Sequence, residues 1–217
     1  MEKYKITSIS DFPAEAVVVD AGSFPENPIA LAWLGGGRKV VCCDGAAMRY
    51  LATGRIPWRI VGDCDSISEE VKNKYREIVR PNPDQETNDQ TKSVTYLAER
   101  GVRNIVILAA TGLREDHTLG NISLLIDYLK NGVTARAYTD FGVFIPVHDD
   151  ICFQCDRGTQ VSIFNFGATG LRAEGLRYPI RDFDSWWQGT LNETTDSRFT
   201  IHASGYYLLF VNYPKPI

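Results

Sequence analysis

Four short apolar runs rich in β-branched residues, at 17–19, 40–43, 59–61 and 105–108, each give way to small, polar or acidic residues. Parallel strands buried on both faces and feeding loops at one sheet edge have this pattern. Segments of helical periodicity lie between them. From Ser66 onward, Val71, Tyr75 and Ile78 recur at helical spacing, with Ser66 and Glu69 at a capping-box offset. A second helix is expected to begin near Thr87, with Gln90 three positions on. It would carry Asp89 in its first turn and run through Val94, Leu97 and Ala98 to a stop at Gly101. A third covers about 117–130, with Leu119, Ile122, Leu125, Ile126 and Leu129 on one apolar face and Asn131 and Gly132 closing it. This alternation predicts an open, mostly parallel α/β sheet with crossover helices.

After about Phe144 the period changes. Short alternating or apolar runs at 160–164, 200–203 and 206–211 are separated by Gly, Asn, Asp and Pro, with no long helical segment. The expectation is an N-terminal α/β domain over 1–146, followed by a C-terminal all-β, sandwich-like domain over 147–217. The dividing line falls somewhere in 142–152.

Composition narrows the class. At 217 residues, 44% hydrophobic and 23% charged, the chain is long enough for one large core or two small ones and needs neither disorder nor a fibrous repeat. A net charge of −4 argues against non-specific nucleic-acid binding. It leaves room for a small anion held by a few local groups. Cysteines 42, 43, 64, 152 and 155 lack zinc-site spacing and read as reduced thiols. The opening MEKYKITSIS has no signal-peptide pattern, and no apolar run approaches membrane length, so a cytoplasmic protein is expected.

The chemistry lies at the strand ends. In an open parallel sheet, ligands bind outside the carboxyl ends of the strands. Here three successive runs lead into Asp20, into Asp44 of CCDGA, and into Asp63 and Asp65 of VGDCDSI. Gly62 permits close backbone approach, so Asp63 and Asp65 together suit one hard cation. Each piece has an ordinary alternative: Asp44-Gly45 as a turn, DCDS as a capped helix entry. The combination, extended by Asp84 and Asp89 in PNPDQETNDQTK, points to Mg²⁺ and to a phosphate chain. Arg114, in the Gly-containing loop after the fourth strand and before a helix, is the first candidate for a phosphate contact, and Lys92 the second. Neither GxxxxGK[ST] nor GxGxxG occurs, and Gly35 to Gly37 read as a turn. His117 beside Asp116 suits either a phosphate contact or a helix cap. Of the neighbours Trp186 and Trp187, alternation turns one into the β domain and leaves the other for a ligand or a subunit; both covering a small core is the plainer alternative.

At these residues the chain resembles the thiamine pyrophosphokinases. The blocks CCDGAAMRYLATGRIPWRIVGDCDSI, DQETNDQTKSV, TGLREDHTLGN and VSIFNFGATGLRAEGLRYPI follow one another in the family's order. The resemblance implies transfer of the pyrophosphoryl group of ATP to the hydroxyethyl oxygen of thiamine, giving AMP and thiamine diphosphate. It further implies Mg²⁺, and a homodimer with thiamine held between the catalytic domain of one subunit and the β domain of the other. Asp44, Asp63, Asp65 and Asp89 match the family's acids around metal and phosphates, with Thr87 and Lys92 nearby. Arg114, Asp116, His117 and Asn121 match the block associated with the nucleotide. Asn192 falls close to the thiamine, with Trp187 as a second acceptor contact. The expected metal ligands are Asp63 and Asp65, with Asp89 assisting, and either Asp44 or Asp89 is left to accept the hydroxyl proton. The chain departs from the family in having Leu191 for a Ser, Ala46 for the second Gly of DGG, and Cys64 for Phe. Leu191 removes a hydroxyl from the acceptor pocket. A different phosphotransferase or hydrolase, or a non-catalytic sensor, remains the competing class.

Overall fold

The computed structural model describes residues 5–214. In chain order the elements are β1 (Lys5–Thr7), β2 (Ala16–Val19), α1 (Pro28–Leu31), β3 (Lys39–Cys43), α2 (Ala47–Ala52), β4 (Arg59–Gly62), α3 (Glu69–Lys74), β5 (Val79–Pro81), α4 (Asp89–Ala98), β6 (Asn104–Leu108) and α5 (Glu115–Lys130). Then follow β7 (Thr134–Tyr138), β8 (Gly142–His148), β9 (Ile151–Gln154), β10 (Gln160–Asn165), β11 (Thr169–Glu174), β12 (Asn192–Glu193), β13 (Arg198–Ser204) and β14 (Tyr206–Asn212).

The chain divides into two compact units. One comprises residues 14–124 and 131–140; the other takes in 125–130 and 141–214 together with the described residues up to 13. In the first, the strands lie in the order β7-β6-β2-β3-β4-β5, all parallel. Every residue of β2 is buried, as are Ile105, Val106, Ile107 and Leu108 of β6. Near-continuous apolar strands need cover on both faces, which crossover helices supply. In the second unit one sheet runs β12-β10-β14-β8, antiparallel throughout. The other runs β1-β9-β13-β11, with β1 parallel to β9 and the remaining pairs antiparallel. Phe153 and Phe199, paired across β9 and β13, stack at 5.6 Å in its core.

Several element ends differ from the sequence expectation for local reasons. The α4 cap is Asn88, not Thr87: its side chain accepts the Thr91 N–H at 2.9 Å. Thr87 turns back and donates its hydroxyl to Asp84. The α3 cap is Ser68, not Ser66, and the helix ends before Ile78. Leu119, expected on the apolar face of α5, is 60% exposed. The strand at residues 5–7 joins the antiparallel unit, which also takes in residues 125–130 ahead of 141–214. Three residues carry too little periodicity to announce that pairing. Among the described residues, no helix is long and apolar enough to cross a membrane.

Candidate active site

The parallel strands deliver acids to one edge. Asp44 follows β3 and opens a tight 3-10 turn into α2, with none of its surface exposed. Its Oδ2 accepts the Ser66 N–H at 2.9 Å, while its Oδ1 is buried without a hydrogen-bond partner. Asp63 follows β4; Cys64 then takes a left-handed backbone, φ 67°, and the Asp65 N–H closes onto Asp63 Oδ1 at 3.2 Å. Such a conformation costs a non-glycine residue about 1–3 kcal/mol and persists where surrounding structure holds it. Its effect here is to fold Asp65 back beside Asp63. One oxygen from each of Asp44, Asp63 and Asp65 lies within 4.8 Å of the others.

Gly62 makes this approach possible. A Cβ there would stand 2.5 Å from Asp44 Cβ and 3.2 Å from Asp89 Oδ1. Burial holds the Asp44 carboxyl above its ordinary value, and the neighbouring charges of Asp89, Asp63 and Asp65 push the same way. The Asp65 N–H, with help from Lys92, draws Asp63 down. A buried carboxylate oxygen without a donor, beside two further carboxylates, is an all-oxygen set that fits a hard divalent cation such as Mg²⁺.

Asp89, expected among the ligands, lies beside this group and not within it. It opens α4 and accepts from the buried Lys92 Nζ at 3.1 Å. Lys92 is therefore a fixed counter-charge inside the acidic region. Asn88 donates to Asn121 Oδ1 at 2.9 Å, and Asn121 donates to the Ala110 carbonyl at 3.1 Å. Asn121 thus ties α4 to the segment after β6. Thr87 is exposed and serves the turn through Asp84.

The loop after β6 bears the cationic candidate. Arg114 Nε and Nη2 grip Asp116 at 3.1 and 2.5 Å, in an exposed bidentate pair. That guanidinium holds Asp116 down to about 2. Asp116, in the first turn of α5, also accepts the His117 N–H at 2.9 Å. Burial pushes the Cys42, Cys43 and Cys64 thiols up, which suits packing and not nucleophilic attack.

In the antiparallel unit, Asn192 is buried and its amide is engaged by Tyr178. It accepts the Tyr178 N–H at 3.0 Å and donates to the Tyr178 carbonyl at 2.8 Å. These bonds fix the backbone of Tyr178, whose side chain is 54% exposed and which the sequence did not single out. Trp186 packs on Phe166 at 5.1 Å and donates its indole N–H to the Asn165 carbonyl, whereas Trp187 is 75% exposed. Trp186 is itself 44% exposed. Leu191 is exposed and left-handed, φ 60°, with its N–H on Ser162 Oγ at 3.2 Å.

Two family models match the two parts of the chain. One, described as a thiamin pyrophosphokinase catalytic domain, covers residues 35–137; the other, described as a thiamin pyrophosphokinase substrate-binding domain, covers 142–210. The acid cluster lies within the first match, and the class is that of a catalytic domain joined to a substrate-binding domain in one chain. The chain belongs to the thiamine pyrophosphokinase family. It is similar to "Thiamine pyrophosphokinase 1" of Oryza sativa subsp. japonica, 39% identical over 92 residues, which span 38% of this chain but only 33% of that relative. It is also similar to "Thiamine pyrophosphokinase" of Bacillus subtilis (strain 168), 26% identical over 180 residues, 77% of this chain and 84% of that one. Its fold resembles thiamin pyrophosphokinase from Candida albicans with a TM-score of 0.80 at 17% identity, over 99% of this chain and 94% of that one.

Proposed function

We propose that the chain is a Mg²⁺-dependent thiamine pyrophosphokinase that moves the β and γ phosphates of ATP as one group onto the hydroxyethyl oxygen of thiamine, releasing AMP. The observation that carries this reading is the orphaned, buried Oδ1 of Asp44 beside Asp63 and Asp65 at the carboxyl edge of the parallel sheet. Asp44, Asp63 and Asp65 would hold the metal, which when bound offsets phosphate charge. Asp89 is directed by Lys92, which meets it at 3.1 Å, beside that group. Arg114 is the residue to meet the phosphate chain, and to do so it exchanges Asp116 for the incoming anion. Positioning and charge neutralisation, not a covalent intermediate, then supply the rate.

For the acceptor, Trp187 and Tyr178, whose backbone Asn192 holds, are exposed aromatic rings. The thiazolium of thiamine is cationic, so a ring face attracts it beyond simple apolar contact. The homodimer and the cytoplasmic setting belong to the same reading and rest on the family resemblance. Product analysis tests the whole. Purified protein with ATP, Mg²⁺ and thiamine is expected to yield AMP and thiamine diphosphate together, and neither when any component is omitted. ADP or phosphate formed without regard to thiamine would assign the acids to a different phosphotransfer. Light scattering at twice the 24.3 kDa chain mass is the expected dimer result, and a monomer at assay concentration would remove that part.

A further inference from the structure

β2 ends at Val19 and delivers Asp20 to the interior, where it is 7% exposed. A buried carboxyl is costly unless its oxygens are met. Both are: Oδ1 accepts the Ala21 N–H at 2.8 Å, and Oδ2 accepts Nε2 of Gln90 at 2.8 Å. Gln90 is 1% exposed and follows Asp89 in the first turn of α4. That helix start is thus tied at three places. Asn88 reaches Asn121 at 2.9 Å, Gln90 reaches Asp20, and Ser93 Oγ meets Cys43 Sγ at 3.3 Å.

The ties bear on the acids because the same turn carries Asp89 and Lys92. Asp89 Oδ1 lies where a Cβ on Gly62 would meet it at 3.2 Å, and Lys92 reaches Asp89 at 3.1 Å. A small rotation of α4 about its axis would carry both away from Asp44 and Asp63. An apolar residue would end a buried strand at lower electrostatic cost than an acid. The geometry points to Asp20 as a positioning residue for this site: through Gln90 it fixes the rotation of the first turn of α4, and with it Asp89 and Lys92 against the Asp44–Asp63–Asp65 group. The inference deepens the Mg²⁺-dependent reading above and rests on it for its kinetic part.

The test compares Asp20→Ala, Asp20→Asn, Gln90→Ala and the Asp20→Ala/Gln90→Ala double variant. Two quantities are measured: amide hydrogen exchange at residues 89–93, and the Mg²⁺ concentration giving half-maximal AMP formation. Asp20→Ala is expected to speed exchange in that turn and raise the Mg²⁺ requirement by up to about tenfold, the lower end of the loss for direct partners of metal ligands, since Asp20 acts one step further out. The KM for thiamine should change far less. Asp20→Asn, which keeps an acceptor for Gln90, should fall between, and it carries the comparison with Gln90→Ala if Asp20→Ala does not fold. The double variant should be no worse than Asp20→Ala, because one path is cut only once. Native exchange and a native Mg²⁺ requirement in Asp20→Asn and Gln90→Ala overturn the inference, as does full additivity in the double variant. Wild-type protein that forms no AMP sinks the pyrophosphokinase reading alone. Exchange at 89–93 then decides whether Asp20 holds α4.

Discussion

The two units solve opposite problems. The parallel unit gathers like charges: Asp44, Asp63 and Asp65 meet within 4.8 Å, and one buried oxygen has no donor. The antiparallel unit leaves aromatic rings in water, with Trp187 75% and Tyr178 54% exposed. Charge crowding costs free energy that only a cation can offset, so its supports are many and rigid. Exposed rings carry no such penalty, and a single buried amide, Asn192, suffices to set Tyr178. Substitutions should therefore divide sharply. Changes among the acids should strike turnover with little loss to the metal-free fold, and changes among the rings should alter acceptor binding alone.

The largest expected effect is that of Asp63→Asn. Loss of one charge-stabilising group at a reacting centre costs on the order of 10²–10³ in kcat. The metal-free melting temperature should hold, since Asn keeps an acceptor for the Asp65 N–H while giving up the charge that Lys92 favours. Steady-state AMP release and a thermal melt in EDTA check both halves, and a variant that melts lower yet turns over normally would reverse the comparison.

Next comes the response of stability to pH and metal. Asp44 and Asp20 have folded pKa values raised chiefly by burial. Such groups stabilise the fold fully below their unfolded pKa and lose that contribution as pH rises through the folded value. Asp63 and Asp116, both lowered, act in the opposite sense, their contribution being lost as pH falls through the folded value. Metal-free protein is thus expected to lose stability as pH rises just above the usual carboxylate range, with Asp44→Asn flattening that slope. At a hundredfold excess over its Kd, Mg²⁺ should restore about 2.7 kcal/mol. Melts across pH in EDTA and in Mg²⁺ provide the measurement, and an unchanged slope in Asp44→Asn would separate Asp44 from the metal group.

Much of the parallel unit was legible because strand ends obey a rule: Asp44, Asp63 and Asp65 could be placed at one edge from the apolar runs alone. Which acids touch was not legible. The left-handed turn at Cys64 and the Ser66 N–H on Asp44 select Asp44, and neither has a periodic signature. Asp89 was expected to assist Asp63 and Asp65, and its pairing with Lys92 shows in the sequence only as an i, i+3 spacing. Gln90 was read only as half of a cap, whereas its spacing to Ser93 and Val94 on the buried side of α4 was the available clue to its tie with Asp20. In the antiparallel unit the strands at 160–164, 200–203 and 206–211 were visible, but β1 and β12 are too short to announce themselves.

Trp187→Ala carries the third effect and bears on the rings. Loss of one aromatic contact, about 0.5–1.5 kcal/mol, predicts a rise of roughly two- to tenfold in the KM for thiamine. The Mg²⁺ requirement and the melting temperature should stay put, since the ring packs little of its own unit. Equal losses in kcat and in metal dependence would erase the division between the units.

The smallest effect, at Leu191, isolates backbone from chemistry. Leu191 sits at φ 60°, a region that costs an ordinary L residue about 1–2 kcal/mol and glycine almost nothing. Its side chain is 69% exposed, so removing it leaves no cavity. Glycine also loosens the unfolded chain by roughly 0.5–1 kcal/mol. The difference predicts that Leu191→Gly stabilises by about 0.5 kcal/mol in a denaturant titration, with the Ser162 hydroxyl still meeting the Leu191 N–H position. Leu191→Ser keeps the strain but adds a hydroxyl, so it should leave stability near that of the parent. Any change in the KM for thiamine in Leu191→Ser that Leu191→Gly does not share then belongs to the hydroxyl itself. Equal KM values in the two variants would assign the residue at 191 to turn geometry and not to acceptor choice.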